Sequence, residues 1–146
     1  MYKRILMPID GSECSRQAVE HGLELARRTE ARVTFLYVVE DPLYYARHAV
    51  AEYGELYEEL RRGGQEVLDA ARRQAEAYGV VSETVLVEKP LAHPVDAILE
   101  AEEQHDLTVL GTHGRRGFSR IMLGSVAEGV LRRSSRPQLV IHCRGD

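Results

Sequence analysis

Apolar positions along the chain follow two alternating periods. Short, nearly continuous apolar runs occupy residues 4–9, 31–39, 83–87, 107–110 and 139–141. Their length and β-branched content predict strands covered on both faces. Between them, apolar residues recur every three or four positions. Ala18, Val19, Gly22, Leu23 and Ala26 form one stripe, which ends near Arg28. Val67, Leu68, Ala71, Ala75 and Tyr78 form a second, over residues 65–78. Val95, Ile98 and Leu99 form a third after His93-Pro94, and a fourth helical segment spans Ser125 to Arg133. The punctuation agrees. Asp10-Gly11-Ser12 has turn chemistry, with Ser12 placed to cap the first helix; Pro94 suits a first helical position and Gly79 suits a helix end. Residues 43–64 fit neither period. Tyr44, Tyr45, Tyr53 and Tyr57 are mixed with charges and the stretch closes on Gly63-Gly64. It reads as a mobile or partly helical insertion.

Strands alternating with helices predict an α/β fold: a single domain, residues 1–146, built on a doubly wound parallel sheet with helices on both faces. Such sheets bind ligands outside the carboxyl ends of their strands, where the strand order reverses. If the first and fourth strands are neighbours there, Asp10 and Gly111 face one crevice.

Composition narrows the partners. A net charge of −4 argues against a general nucleic-acid surface, which would be basic. No apolar run reaches the length of a membrane span, so no membrane partner is expected. The chain opens almost directly into a strand, which predicts no secretion signal and a cytoplasmic protein. Cys14 and Cys143 lie far apart and form no metal-spaced motif, so both read as reduced thiols.

The chemistry concentrates in residues 111–125. Gly111, two residues, Gly114, nine residues and Gly124-Ser125 follow the strand Leu107–Leu110 and lead into the last helix. A glycine-rich loop between strand and helix presents backbone N–H groups at a helix N-terminus, which suits phosphate. Structural readings stand beside this one. Gly111 serves either a turn at positive φ or a close backbone approach. Ser125 contacts phosphate or, with Glu128 three residues on, forms a capping box. Asp10 faces the ligand or caps the first helix. His113 is a contact or a bystander, and Arg115 and Arg116 pair with phosphate or belong to a solvated loop.

Together, Met7-Pro8-Ile9-Asp10-Gly11-Ser12, Leu36-Tyr37-Val38-Val39 and the Gly111…Gly114…Gly124-Ser125 loop resemble the universal stress protein family, in its ATP-binding branch. The likeness covers nearly the whole chain. It implies a five-stranded parallel sheet in the order 3-2-1-4-5, of the adenine nucleotide alpha hydrolase-like kind, and a homodimer joined through the last strand. It also implies ATP, or AMP or ADP, as ligand, with Mg²⁺ held only through the phosphates. By the same resemblance Pro8 and Ile9 line the pocket, Asp10 lies near the adenosine half, and the Val38 backbone meets the adenine edge. Gly111 approaches the ribose. Thr112, His113, Gly114 and Arg115 belong to the phosphate loop, with Gly124, Ser125, Val126 and Ala127 at the start of the helix that follows. Two departures stand out. Ala127 replaces a threonine of many ATP-binding relatives, and Lys89-Pro90-Leu91-Ala92-His93-Pro94 lacks the glycine expected before its proline.

There is no G-x-x-x-x-G-K-[ST] loop, no G-x-G-x-x-G after the first strand and no nucleophile elbow around Ser12 or Ser15. The expected role is a regulatory nucleotide binder without catalytic residues, at most a slow ATPase. The alternatives are an ATP-using enzyme and a nucleotide-independent, dimeric partner-binding protein. The apolar stretch Pro137–Cys143 carries the dimer expectation, because exposed sheet edges of this composition tend to be paired or covered.

Overall fold

Successive residues of a strand point to opposite faces of its sheet, and this divides the apolar runs between two cores. In a computed structural model, which describes residues 1–40, 53–88, 93–114 and 123–143, the elements are β1 (Arg4–Pro8), α1 (Glu13–Thr29), β2 (Arg32–Val38), α2 (Tyr53–Ala77), β3 (Ser82–Val87), α3 (Pro94–Glu102), β4 (Leu107–Gly111), α4 (Ser125–Arg133) and β5 (Gln138–Ile141). The strands form one all-parallel sheet in the order β3-β2-β1-β4-β5. On one face Ile5, Met7, Val33, Phe35, Tyr37, Leu107 and Val109 pack against Val19, Leu23 and Ala26 of α1 and Leu68, Ala71 and Ala75 of α2. On the other, Leu6, Leu36 and Leu110 meet Val95 and Ile98 of α3 and Ala127 and Val130 of α4. Among the described residues no helix is long and apolar enough to cross a membrane.

Local chemistry sets the helix ends. The Ser12 hydroxyl accepts the Ser15 N–H at 3.1 Å and caps α1. Pro94 opens α3, with the His93 ring accepting the Val95 N–H at 3.2 Å. Gly79, just beyond α2, has φ +69°, the left-handed conformation expected at its place.

The region read as an insertion differs from expectation. From Tyr53 onward it is helix, and α2 runs unbroken through Gly63-Gly64. Gly64 is there for packing: a Cβ at that position would lie 2.5 Å from Cε1 of the buried Tyr37 ring. Gly64 lets α2 lie close against β2, whereas a Cβ on Gly63 would meet nothing within 4 Å. Residues 43–52, with Tyr44 and Tyr45, are outside the described residues.

At the other end of the sheet, one carboxylate fixes the start of β1. Asp106 Oδ2 accepts the backbone N–H groups of Lys3 and Arg4 at 2.9 and 2.8 Å, while the Asp106 N–H donates to the Arg4 carbonyl at 2.8 Å. Those two N–H donors hold the Asp106 carboxyl below its ordinary value. A depressed folded-state pKa adds stability that is complete above the unfolded value near 4 and disappears as pH falls through the folded one. Asp106→Ala is therefore expected to lower unfolding free energy by about 1 kcal/mol at pH 7. The gap from the parent should be narrower at pH 3, as the carboxylate is titrated. Urea titrations of both proteins at the two pH values check this.

Candidate functional site

The sheet order reverses between β1 and β4, so the carboxyl ends of these neighbouring strands flank one crevice. On the β1 side the Ile9 N–H donates to the Leu36 carbonyl at 2.9 Å, and the chain then turns through Asp10 and Gly11, the latter at φ +79°. Asp10 Oδ1 accepts the Ser12 N–H at 2.9 Å, and the Asp10 N–H reaches the Ser15 hydroxyl at 3.3 Å. Half of the carboxylate thus does the turn-fixing work that the sequence allowed. Its Oδ2 faces the other wall: a Cβ on Gly114 would lie 2.7 Å from it.

On the β4 side the strand continues one residue in its pairing, with the Thr112 N–H donating to the Ile141 carbonyl at 3.0 Å. The Thr112 carbonyl accepts the Gly124 N–H at 2.7 Å. The two ends of the long loop therefore meet, and α4 starts where β4 stops. The approach is close enough that a side chain would press on its neighbours. A Cβ on Gly124 would stand 3.2 Å from the Thr112 carbonyl oxygen and 3.3 Å from the His113 Cα.

The start of α4 decides between two readings of Ser125. Gly124 is the N-cap residue, no side chain caps the helix, and Ser125 is its exposed first residue. Glu128 does not reach back; its carboxylate pairs with Arg132 at 2.9 Å. The capping box read from Ser125 and Glu128 is not formed, because the helix begins one residue earlier than such a box needs. Among the described residues, no N-cap side chain bonds the first-turn N–H groups of α4.

The predicted residues divide by position. Asp10, Gly111, Thr112, His113, Gly114, Gly124 and Ser125 converge at this end of the sheet. Pro8 is half-buried at the end of β1, and Val38 at the end of β2. Ile9 belongs to the first core. Ala127 is buried in the second core with Val126 packed beside it, so alanine suits position 127 by packing. Arg115 and Arg116 lie outside the described residues.

Two readings are corrected here. Gly111 has no positive φ, so a turn does not explain it. The cause is close packing on α1: a Cβ would lie 2.6 Å from the Cys14 sulfur and 3.1 Å from the Cys14 carbonyl oxygen. The cysteines, read as separate reduced thiols, are joined in a Cys14–Cys143 disulfide across 129 residues, with Cα atoms 5.2 Å apart. Parallel winding places the first turn of α1 beside the end of β5, an adjacency that spacing along the chain does not contain. His113 joins them. Ligand-capable atoms of Cys14, His113 and Cys143 all lie within 4.8 Å of one another, whereas no metal-like cluster is visible in the sequence. The Thr112 hydroxyl sits in the same group, 2.9 Å from His113 Nδ1 and 3.3 Å from the Cys143 sulfur.

Comparison with known proteins agrees with this architecture. The chain is 36% identical to the universal stress protein MJ0531 of Methanocaldococcus jannaschii over 143 residues, covering 97% of this chain and 82% of the relative. The solved structure of MJ0577, a universal stress protein of the same organism, superposes with a TM-score of 0.84 at 26% identity, covering 100% of this chain and 99% of that one. A universal stress protein solved in complex with cAMP gives a TM-score of 0.68 at 26% identity, covering 97% of each chain. The profile of the family described as "Universal stress protein family" matches residues 1–142, and with the sheet order and the converging loop ends above, this chain belongs to that family.

Proposed function

We propose that this protein is an adenine-nucleotide-binding regulator, and that ATP is held at the β1/β4 crevice by the Gly111-x2-Gly114-x9-Gly124-Ser125 loop. One observation carries the reading. The Gly124 N–H bond to the Thr112 carbonyl brings the start of α4, whose N-cap is a glycine with no side chain to cap it, to the crevice edge beside Gly114 and Asp10. Backbone donors and the positive end of a helix dipole then converge where a phosphate chain would lie. Mg²⁺ would arrive on the phosphates. The ladder supports a place for the base. Leu36 directs its carbonyl to β1 and Val39 its N–H to β3, so the intervening Val38 amide faces the β1 side, beyond the end of that strand. The cAMP complex of a relative supports the same class of ligand.

In this reading the protein binds rather than turns over its ligand. His113, an imidazole at the mouth of the loop, is hydrogen-bonded to Thr112, and we assign it no catalytic role. We further propose a homodimer through β5, which pairs with β4 alone and presents its other edge outward.

The test is direct. Heat-denatured protein, freshly purified, is expected to release adenine nucleotide, and calorimetry is expected to give a 1:1 ATP complex strengthened by Mg²⁺. Neither released nucleotide nor heat at millimolar ATP would leave the loop a purely structural connection. Sedimentation at micromolar concentration is expected to give twice the chain mass; a strict monomer removes the dimer.

A further inference from the structure

We propose that Cys14–Cys143 is a reversible thiol–disulfide site that takes small dithiols and disulfides as reactants, and that its state controls the Thr112–Gly124 contact where β4 meets the start of α4. The proposal builds on the nucleotide reading only in its consequence for ATP.

Three parts of the fold meet at the sulfurs. Cys14 is the second residue of α1, and Cys143 lies two residues beyond β5. Between them passes the end of β4. The Cys14 sulfur lies against Gly111 and accepts the His113 N–H at 3.4 Å. The Thr112 hydroxyl is 3.3 Å from the Cys143 sulfur and 3.9 Å from that of Cys14. Thr112 is also the residue whose carbonyl holds Gly124. The disulfide therefore braces the residue that closes the loop.

The two sulfurs are unequal, and that sets the chemistry. Cys14 is 6% exposed and shielded, whereas Cys143 is half-buried. An incoming thiolate reaches Cys143. A new bond forms from its sulfur to Cys143 Sγ, the Cys14–Cys143 bond breaks, and the electron pair leaves with Cys14 as a thiolate. That thiolate sits at the N-terminus of α1 with the His113 N–H and the Thr112 hydroxyl beside it, donors that stabilise the departing charge. The second thiol of the dithiol then displaces Cys143. In sum the pair gains two electrons and two protons, and the reductant becomes a cyclic disulfide. The reverse reaction closes the bridge.

Reduction frees the chain end from α1 and loosens the contacts of Cys143 with Thr112, the residue whose carbonyl holds Gly124. A looser start of α4 weakens the grip on a polyphosphate. The expected effect is an ATP affinity about tenfold lower in the reduced protein. By linkage, saturating ATP must bias the pair toward disulfide by the same factor, which for two electrons is about 30 mV.

The experiment equilibrates the full chain in reduced/oxidised dithiothreitol mixtures. A chelator is present throughout, since Cys14, His113 and Cys143 together are a donor set for thiophilic ions. Alkylation mass shift reads the thiols, circular dichroism reads the fold, and hydrogen exchange reads the Gly124 amide. The expected result is reversible reduction with the fold retained and Gly124 exchange at least tenfold faster in the reduced form. ATP titrated into each form should show the tenfold difference. Cys143→Ser should match the reduced protein in exchange and ignore the redox buffer. Reduction only upon unfolding, or equal Gly124 exchange in both forms, overturns the proposal and leaves a structural staple. Absence of ATP binding in both forms sinks the nucleotide reading, while the exchange result still decides this one.

Discussion

A Gly114→Val/Gly124→Val double variant is expected to fold and to lose ATP at least 100-fold in affinity, about 2.7 kcal/mol. Neither glycine has a positive φ, so valine can adopt the existing backbone at both places. Space is what changes. At position 114 the new Cβ meets Asp10 Oδ2 at 2.7 Å and fills the gap between the two walls of the crevice. At position 124 it presses on the Thr112 carbonyl and the His113 Cα, and must lengthen the 2.7 Å bond that closes the loop. Both sites are outside the two buried cores, so the thermal midpoint should move by only a few degrees. Calorimetry with ATP and a thermal melt on the same preparation make the check. A variant that melts normally and still binds ATP would show that these backbone amides are not the phosphate donors.

Phe35→Ala is expected to be the most damaging single change to the fold, by about 3–5 kcal/mol. Phe35 is fully buried in the middle of β2, paired with Met7 of β1 on one side and Thr84 of β3 on the other. Its ring lies in the core between the sheet and α1 and α2, where the backbone of two strands prevents collapse onto the space left behind. A loss of that size is a large part of the 5–15 kcal/mol typical of a domain. Urea unfolding should show a lower midpoint at an unchanged slope. A cost under about 1 kcal/mol would mean that this face does not hold the principal core.

Much of the architecture could be read from local pattern. Strand and helix periods are properties of neighbouring residues, and so are caps. Ser12, Pro94 and Gly79 therefore stand where composition put them, and the β1 and β4 endings became the two walls of one crevice. Of the two readings of Gly111, close backbone approach is the one the structure supports, with Cys14 of α1 as the neighbour. Residues 53–64 were read only as part of a mobile or partly helical insertion, because charges and a glycine pair look like a loop when the partner surface is unknown. Tyr37 supplies that surface, and helix packing outweighs the poor intrinsic propensity of Gly63-Gly64.

The amino-acid order by itself determined the alternation of elements, the two apolar faces of each strand, and the glycine-marked turn from β4 toward α4, since each depends on contacts a few residues apart. Only the tertiary structure decided why Gly111 must lack a side chain, that Ser125 leaves α4 uncapped, and that Cys14 meets Cys143. Those outcomes require β4 to lie between β1 and β5 with α1 packed across them. That arrangement is set by burial of the whole sheet, and no local spacing encodes it.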